Sequence, residues 1–402
     1  MTSQKYYEMT VVGGVYQFTW KDSRVNITVE RIREDSRFQP SAEIRIKAYP
    51  EGHLHWTRVN LLSTRSKNDV AKFCSERSQV SRDWTAIFEE MSVATLDRWR
   101  QGDPPVALKN VEFEADPTFV LEPVLLENEA TLIYGEGGIG KSYIAALFSM
   151  MVQDGVSLGS MDPRKGQVLY IDYETSAETI SRRFQRLKSG FGLTNANDIL
   201  YRFSWQPLAH EIIELQRIVA EHNIDFIVVD SAGPACGGLP NDPDAAIGYF
   251  TALRSLQVTS LTIAHKSKNA LANSPFGSVY WVNYPRNIYE LKKSQKAGEN
   301  NIHVAMLHKK HNDSAEQAPM TYQFKFVDRS VHVGLESIED VPDFFEDMTI
   351  AEKLVATLRK GSLALPEIVD TIGGNSRSIS TILNKEKHRF LLLADNKWGL
   401  RS

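Results

Sequence analysis

At 402 residues the chain can bury more than one core, and its balance of 42% hydrophobic and 24% charged residues is that of a soluble globular protein. Its net charge of −4 excludes a histone-like coat for nucleic acid but leaves room for a local basic surface. No apolar run reaches membrane length, no apolar leader opens the chain, and Cys74 and Cys236 lie far apart, which predicts a cytoplasmic protein without membrane partner, disulfide framework or zinc site.

Residues 1–100 open with the strand-like stretches "YYEMTVVGG", "VYQFTW", "VNITVERI" and "AEIRIKAY". Two helices follow, "KNDVAKFCSERSQV" and "WTAIFEEMSVATLDRWR", whose Trp84, Ile87, Phe88 and Trp99 read as core packing. The result is a small α+β accessory domain that does not declare a role. Two prolines in "QGDPPVALKN" make 101–115 a linker.

From 116 to 335 strands and helices alternate. "ATLIY", "QVLYIDY", "DFIVVD" and "SLTIAH" are short apolar runs of the kind buried centrally in a parallel sheet, with "YIAALFSMMVQDG" and "AHEIIELQRIVAEHN" as helices between them. This predicts an α/β core with its functional edge at the carboxyl ends of the strands. After "VPDFFEDM", residues 348–402 read as helix, helix, helix and hairpin, the layout of a winged-helix domain, with nine Lys/Arg against five Asp/Glu. Ser376, Arg377 and Ser378 open its third helix, which would face a duplex groove or a protein partner.

The run "GEGGIGKS", 135–142, lies between a strand and a helix and has the spacing of a Walker A phosphate loop. Gly135, Gly137, Gly138 and Gly140 let the backbone N–H groups turn inward, with Glu136 and Ile139 between them and Tyr143 following. Lys141 would reach the β and γ phosphates, and Ser142 would offer its hydroxyl to magnesium arriving with ATP. Asp230, ending "DFIVVD" with Ser231 beside it, supplies the second magnesium position. Glu174, in "VLYIDYET", closes the next apolar strand, where a carboxylate could direct water at the γ phosphate or serve as a surface residue. No "NKxD" base-reading segment and no arginine-rich lid is present, which argues against a switch GTPase and a small-metabolite kinase.

Over 116–330, and most specifically in "IYGEGGIGKS" and "GQVLYIDYET", the chain resembles the RecA-like ATPases, and among them the hexameric replicative helicases of the plasmid RepA type. The resemblance implies a RecA-like P-loop NTPase core, ATP hydrolysis with Mg2+, a homo-hexameric ring and movement on single-stranded DNA. It implies Glu174 as catalytic base, Asp230 as Walker B residue, an arginine at Arg182 or Arg183, and His265 as sensor of the γ phosphate. It offers Lys310, in "HKKHN", as a charge reaching a neighbour's nucleotide. The family's Arg-Gly-Ser segment is replaced by "SPFGSVYW", which leaves Arg286 as the candidate finger in trans or as a structural arginine. Residues 266–277 would line a channel, with Lys266 and Lys268 on a DNA backbone, or form a surface loop. Tyr280 and Trp281 would stack on bases or pack in the core. The rival readings are an ATP-gated DNA-binding regulator and a RecA-like recombinase or defence ATPase.

Overall fold

A computed structural model describes residues 6–12, 14–35, 37–102, 105, 107, 117–195, 198–266, 275, 278–296, 298–312 and 317–401. It divides into two compact units, Met1–Asp116 with His210–Asn223, and Pro117–Ala209 with Ile224–Ser402.

In the first unit, β1 (Glu8–Val12), β2 (Val15–Trp20), β3 (Val25–Glu34), β4 (Pro40–Ala48) and β5 (Gly52–Asn60) form an antiparallel meander in chain order. Alternation sets its faces: Val25, Ile27, Val29, Ile44 and Ile46 point inward, while Asn26, Arg45 and Lys47 face solvent. The helices α1 (Thr64–Arg77) and α2 (Trp84–Gln101) start at the side-chain caps Ser63 and Asp83. Trp84, Ile87 and Phe88 are buried in this core and Trp99 packs against it. The sequence patterns predict four strands; β5 is the fifth, with His53, Trp56 and Arg58 exposed on it.

The second unit begins with β6 (Phe119–Glu122), β7 (Leu125–Leu126), β8 (Ala130–Gly135), α3 (Lys141–Asp154), β9 (Asp162–Pro163), β10 (Gln167–Asp172), α4 (Ala177–Gly190) and β11 (Leu200–Phe203). Next come α5 (Leu208–His222), most of which groups with the first unit, then β12 (Ile224–Asp230), α6 (Ala232–Ala235), α7 (Pro243–Ser255), β13 (Thr259–His265) and α8 (Tyr280–Asn283). Four strands follow, β14 (Asn287–Ser294), β15 (Asn301–His311), β16 (Met320–Val327) and β17 (Ser330–Glu336). The main sheet runs β11-β10-β12-β13-β8-β14-β15-β16-β17. It is parallel from β11 to β14 and antiparallel from there to β17. The predicted alternation of strands and helices to residue 335 therefore stops at β14. There, short links join consecutive strands directly, which antiparallel pairing permits and parallel pairing does not.

Continuous apolar runs make the central strands two-sided: Phe226, Ile227, Val228 and Val229 of β12 are all buried. Helix α3 is buried from Ile144 to Val152, and Phe148 meets Tyr322 at 6.1 Å between ring centroids. Burial of a side chain such as Phe148 contributes about 1.5–3 kcal/mol. The sheet thus holds its strand tips on a rigid base.

The chain ends in α9 (Pro342–Asp347), α10 (Ile350–Arg359), β18 (Leu363–Ala364), α11 (Leu365–Ile372), α12 (Ser376–Lys385), β19 (Phe390–Leu392) and β20 (Lys397–Leu400). Helices α10 to α12 and the β18-β20-β19 sheet enclose their own core of Leu354, Leu358, Ile368, Ile372, Ile379, Leu383, Phe390 and Trp398.

Candidate functional site

The strand β8 ends in the loop 135–140, and α3 begins at Lys141 with no side chain capping its N-terminus. The first N–H groups of a 14-residue helix are left for another acceptor, with the positive end of the helix dipole behind them. Gly140 stands at φ 98°, a left-handed conformation that a side chain would strain. Open space surrounds the Cβ positions of Gly137 and Gly138. Glu136 is exposed, whereas Ile139 is buried and anchors the loop from beneath. Lys141 is buried, and its Nζ donates to the carbonyls of Gly135 at 3.0 Å and Glu136 at 2.6 Å. Burial lowers its pKa, against the pull of Asp230, Glu174 and Glu136.

Sheet register gathers the remaining groups. Asp172 pairs with Asp230 across β10 and β12, and His265 pairs with Gly135 across β13 and β8. Asp230 is buried, which raises its pKa; hydrogen bonds from Tyr170, at 2.8 Å, and from Ser142 act the other way. Glu174 accepts a hydrogen bond from the Ser231 hydroxyl and lies 3.9 Å from His265 Nε2. Lys141, Ser142, Glu174, Asp230, Ser231 and His265 therefore share one edge of the sheet.

Asp172, missed as a site residue from sequence, is fully buried and organises that edge. Its Oδ1 accepts the backbone N–H of Glu174 at 3.0 Å and of Thr175 at 3.2 Å. Its Oδ2 accepts the Thr175 hydroxyl at 2.6 Å and the Tyr201 phenol at 3.1 Å. A carboxylate with four donors fixes the turn that carries Glu174. Buried Glu290 was also missed; it binds Lys266 at 2.8 Å and Lys309 at 3.3 Å. Lys266 is thus tied to β14, while Lys268 lies outside the described residues.

Other candidates fall elsewhere. Arg286 lies 3.6 Å from Glu129, just before the start of β8, and Lys310 pairs with Ile288 in the neighbouring register. Because β14 runs parallel to β8, both sit at the sheet edge opposite the phosphate loop. The Lys310 ammonium is held by the carbonyls of Val282, Asn283 and Pro285 at 2.8–2.9 Å, and burial lowers its pKa. Arg183 is half-buried near the Tyr143 ring, and Arg182 is exposed. Trp281 is fully buried and donates to Pro240, so it is a core residue; Tyr280 is half-buried.

The open cradle, the uncapped helix N-terminus and the paired oxygens of Ser142 and Asp230 fit a nucleotide phosphate with magnesium, a hard cation that prefers oxygen ligands. One strand, β13, stands between the phosphate-loop strand β8 and the Asp230 strand β12, the RecA-like order. Strand order and phosphate-loop geometry together give a RecA-like P-loop fold with a site shaped for nucleotide phosphate. A family model described as an AAA domain matches residues 108–270. The KaiC-like protein of the archaeon Pyrococcus horikoshii OT3 is similar in structure with a TM-score of 0.40 and 16% identity, over 53% of this chain and 93% of that one. No curated protein matches the chain. Among the described residues, no helix is long and apolar enough to cross a membrane.

Proposed function

We propose that the chain is an ATP-hydrolysing motor of the RepA-type replicative helicase kind, assembling as a homo-hexameric ring that moves on single-stranded DNA. The observation that carries this reading is the placement of Glu174, held through Asp172 and touching Ser231, at the same sheet edge as Lys141 and Asp230. Ser142 and Asp230 would hold magnesium, which when bound neutralises charge on the phosphates. Lys141 exchanges the Gly135 and Glu136 carbonyls for phosphate oxygens. Glu174 accepts a proton from the attacking water, a role typically worth about 10²–10⁴-fold in rate. His265, 3.9 Å from Glu174 at the end of β13, would sense the state of that carboxylate; most of the candidate channel segment 266–277 lies outside the described residues. Arg286 and Lys310 would act only on a neighbour's nucleotide, which makes turnover depend on assembly. The C-terminal helices and hairpin serve as a winged-helix domain.

The test is Glu174→Gln. ATP hydrolysis stimulated by single-stranded DNA falls at least a hundredfold, while binding of a fluorescent ATP analogue stays within twofold. Hydrolysis equal to the parent protein overturns the reading. A strand-displacement assay separates a motor from an ATP-gated regulator, which would displace nothing.

A further inference from the structure

The C-terminal part of the chain carries a basic face that ATP hydrolysis does not use. Helix α11 passes to α12 through Gly373 at φ 68°, Gly374 at φ 101° and Asn375, whose side chain caps α12 by accepting the Arg377 N–H at 2.8 Å. A three-residue, glycine-containing link between two packed helices is the helix-turn-helix connection. On α12, Ile379 and Leu383 point into the core one turn apart. The opposite stripe, Arg377, Thr381, Asn384 and Lys385, is exposed and follows the i, i+4, i+7, i+8 spacing of a single helix face. Thr381 and Asn384 donate back to the helix carbonyls of Arg377 and Ser380, which fixes both side chains on the surface.

The charge on this face is unbalanced. Between 376 and 401 stand Arg377, Lys385, Lys387, Arg389, Lys397 and Arg401, against Glu386 and Asp395, in a chain whose net charge is −4. Among the described residues Arg389 pairs with Glu386 at 3.4 Å, and the other five cations make no ion pair. The Arg401 N–H donates to the Arg389 carbonyl at 2.8 Å, so the two arginines adjoin at the open end of the β19–β20 hairpin. A cluster of six cations with a single internal ion pair is complementary to a polyanion.

We propose that α12 and the hairpin edge form a docking face for duplex DNA, separate from the single-strand track of the motor and standing whether or not that motor reading holds. Arg377 and Lys385 are eight residues apart, about 12 Å along the helix axis. That is close to the width of the B-form major groove, about 12 Å, so the two cations would meet phosphates on its two walls. Thr381 and Asn384 lie between them, where a hydroxyl and a carboxamide can meet base edges. The deep, narrow major groove of duplex RNA does not admit such a helix, which selects DNA.

The test uses the full-length chain without nucleotide, a labelled 30-base-pair duplex of mixed sequence and a single strand of the same length. Fluorescence anisotropy is read between 50 and 200 mM salt. The double variant Arg377→Gln/Lys385→Gln weakens duplex binding at least tenfold at 50 mM salt. It also lowers the slope of log affinity against log salt by about 2, as loss of two phosphate contacts requires. Single-strand affinity, ATP hydrolysis and the melting temperature stay unchanged, because both side chains are exposed. Arg377→Lys/Lys385→Arg, which keeps the charges, restores the slope. Duplex binding by the double variant equal to that of the parent overturns the proposal. So does failure of the parent protein to bind the duplex at 50 mM salt, a result that would assign the face to a protein partner.

Discussion

The Tyr170 phenol donates a 2.8 Å hydrogen bond to Asp230 Oδ2, joining two neighbouring strands beneath the carboxylate proposed to hold magnesium. Tyr170 is fully buried, and no water can replace it without a cavity. Desolvation pushes the Asp230 pKa up, and this phenol is the first of the groups that hold it down. In Tyr170→Phe the carboxylate loses that donor, its pKa rises further, and the charged form that binds metal becomes harder to keep. A hydrogen bond to a charged group contributes about 1.5–3 kcal/mol, so the magnesium concentration for half-maximal nucleotide binding rises about tenfold or more. Magnesium titration of the analogue-binding signal checks this, and a curve superimposable on the parent's would refute it.

Asp172 bears on turnover in a different way. Its two oxygens take four donors, two of them the backbone N–H groups of Glu174 and Thr175. A carboxamide in its place would retain one oxygen and turn an NH2 toward groups that donate, so the loop carrying Glu174 loosens without any change in the phosphate cradle. Asp172→Asn therefore lowers kcat by about 10²-fold, in line with a misplacement near 1 Å, while analogue affinity stays within a few-fold. Tyr201→Phe removes a single donor and gives a smaller loss. Equal falls in kcat and analogue affinity would mark Asp172 as a residue of general stability instead.

These dependencies explain which parts of the site could be read ahead of the fold. The phosphate loop is local: glycine spacing, a preceding strand and a following helix lie within 20 residues, and "GEGGIGKS" declares them. Asp230 ends an apolar run as a strand tip, and Glu174 follows one, two residues past the end of β10 at Asp172; both are visible in the sequence. Their supports are not, because Tyr170 meets Asp230 and Tyr201 meets Asp172 only through the register of β10 with β12 and β11. Arg286 and Lys310 carried the right charge for a finger, but no local pattern says at which end of a strand they lie. Strand β5 escaped notice because exposed His53, Trp56 and Arg58 blur its alternation. Glu290, inside "NIYELKKS", looked like one charge in a polar run, yet it is buried between Lys266 and Lys309.

The first unit has an acid-sensitive tie. Glu51 follows the turn after β4, and its Oε1 accepts from Arg82 Nη1 at 2.9 Å, the Ser78 hydroxyl at 3.0 Å and the Gln79 N–H at 2.7 Å. Both side chains are nearly shut off from solvent, Arg82 at 2% and Glu51 at 5% exposure. The Arg82 guanidinium, first among the causes, holds the Glu51 pKa down to about 2 from an ordinary 4.5. A carboxylate whose pKa is depressed on folding contributes stability above its unfolded value and loses it as pH falls through the folded one. Melting temperatures of the parent and Glu51→Gln should therefore differ by a constant amount above pH 5 and converge as pH drops from 4.5 toward 2. A gap that persists unchanged at pH 2 would show that the contribution is steric.

The phosphate loop offers a last separation, between glycines required by packing and glycines required by neither packing nor conformation. A Cβ at Gly135 would stand 2.1 Å from Ile139 Cδ1 and 2.8 Å from the Leu291 carbonyl oxygen. The Ile139 side chain can turn aside, but the carbonyl belongs to β14, which is hydrogen-bonded to both β8 and β15 and cannot. Gly135→Ala must therefore shift the sheet itself, and overpacking of this kind costs about 1–3 kcal/mol. Gly137 meets nothing within 4 Å and has no left-handed φ, so Gly137→Ala should leave stability within about 0.5 kcal/mol of the parent. Urea unfolding of the nucleotide-free proteins reads both values, because the clash exists before any ligand binds. A Gly135→Ala protein as stable as Gly137→Ala would mean that β14 does not approach the loop this closely.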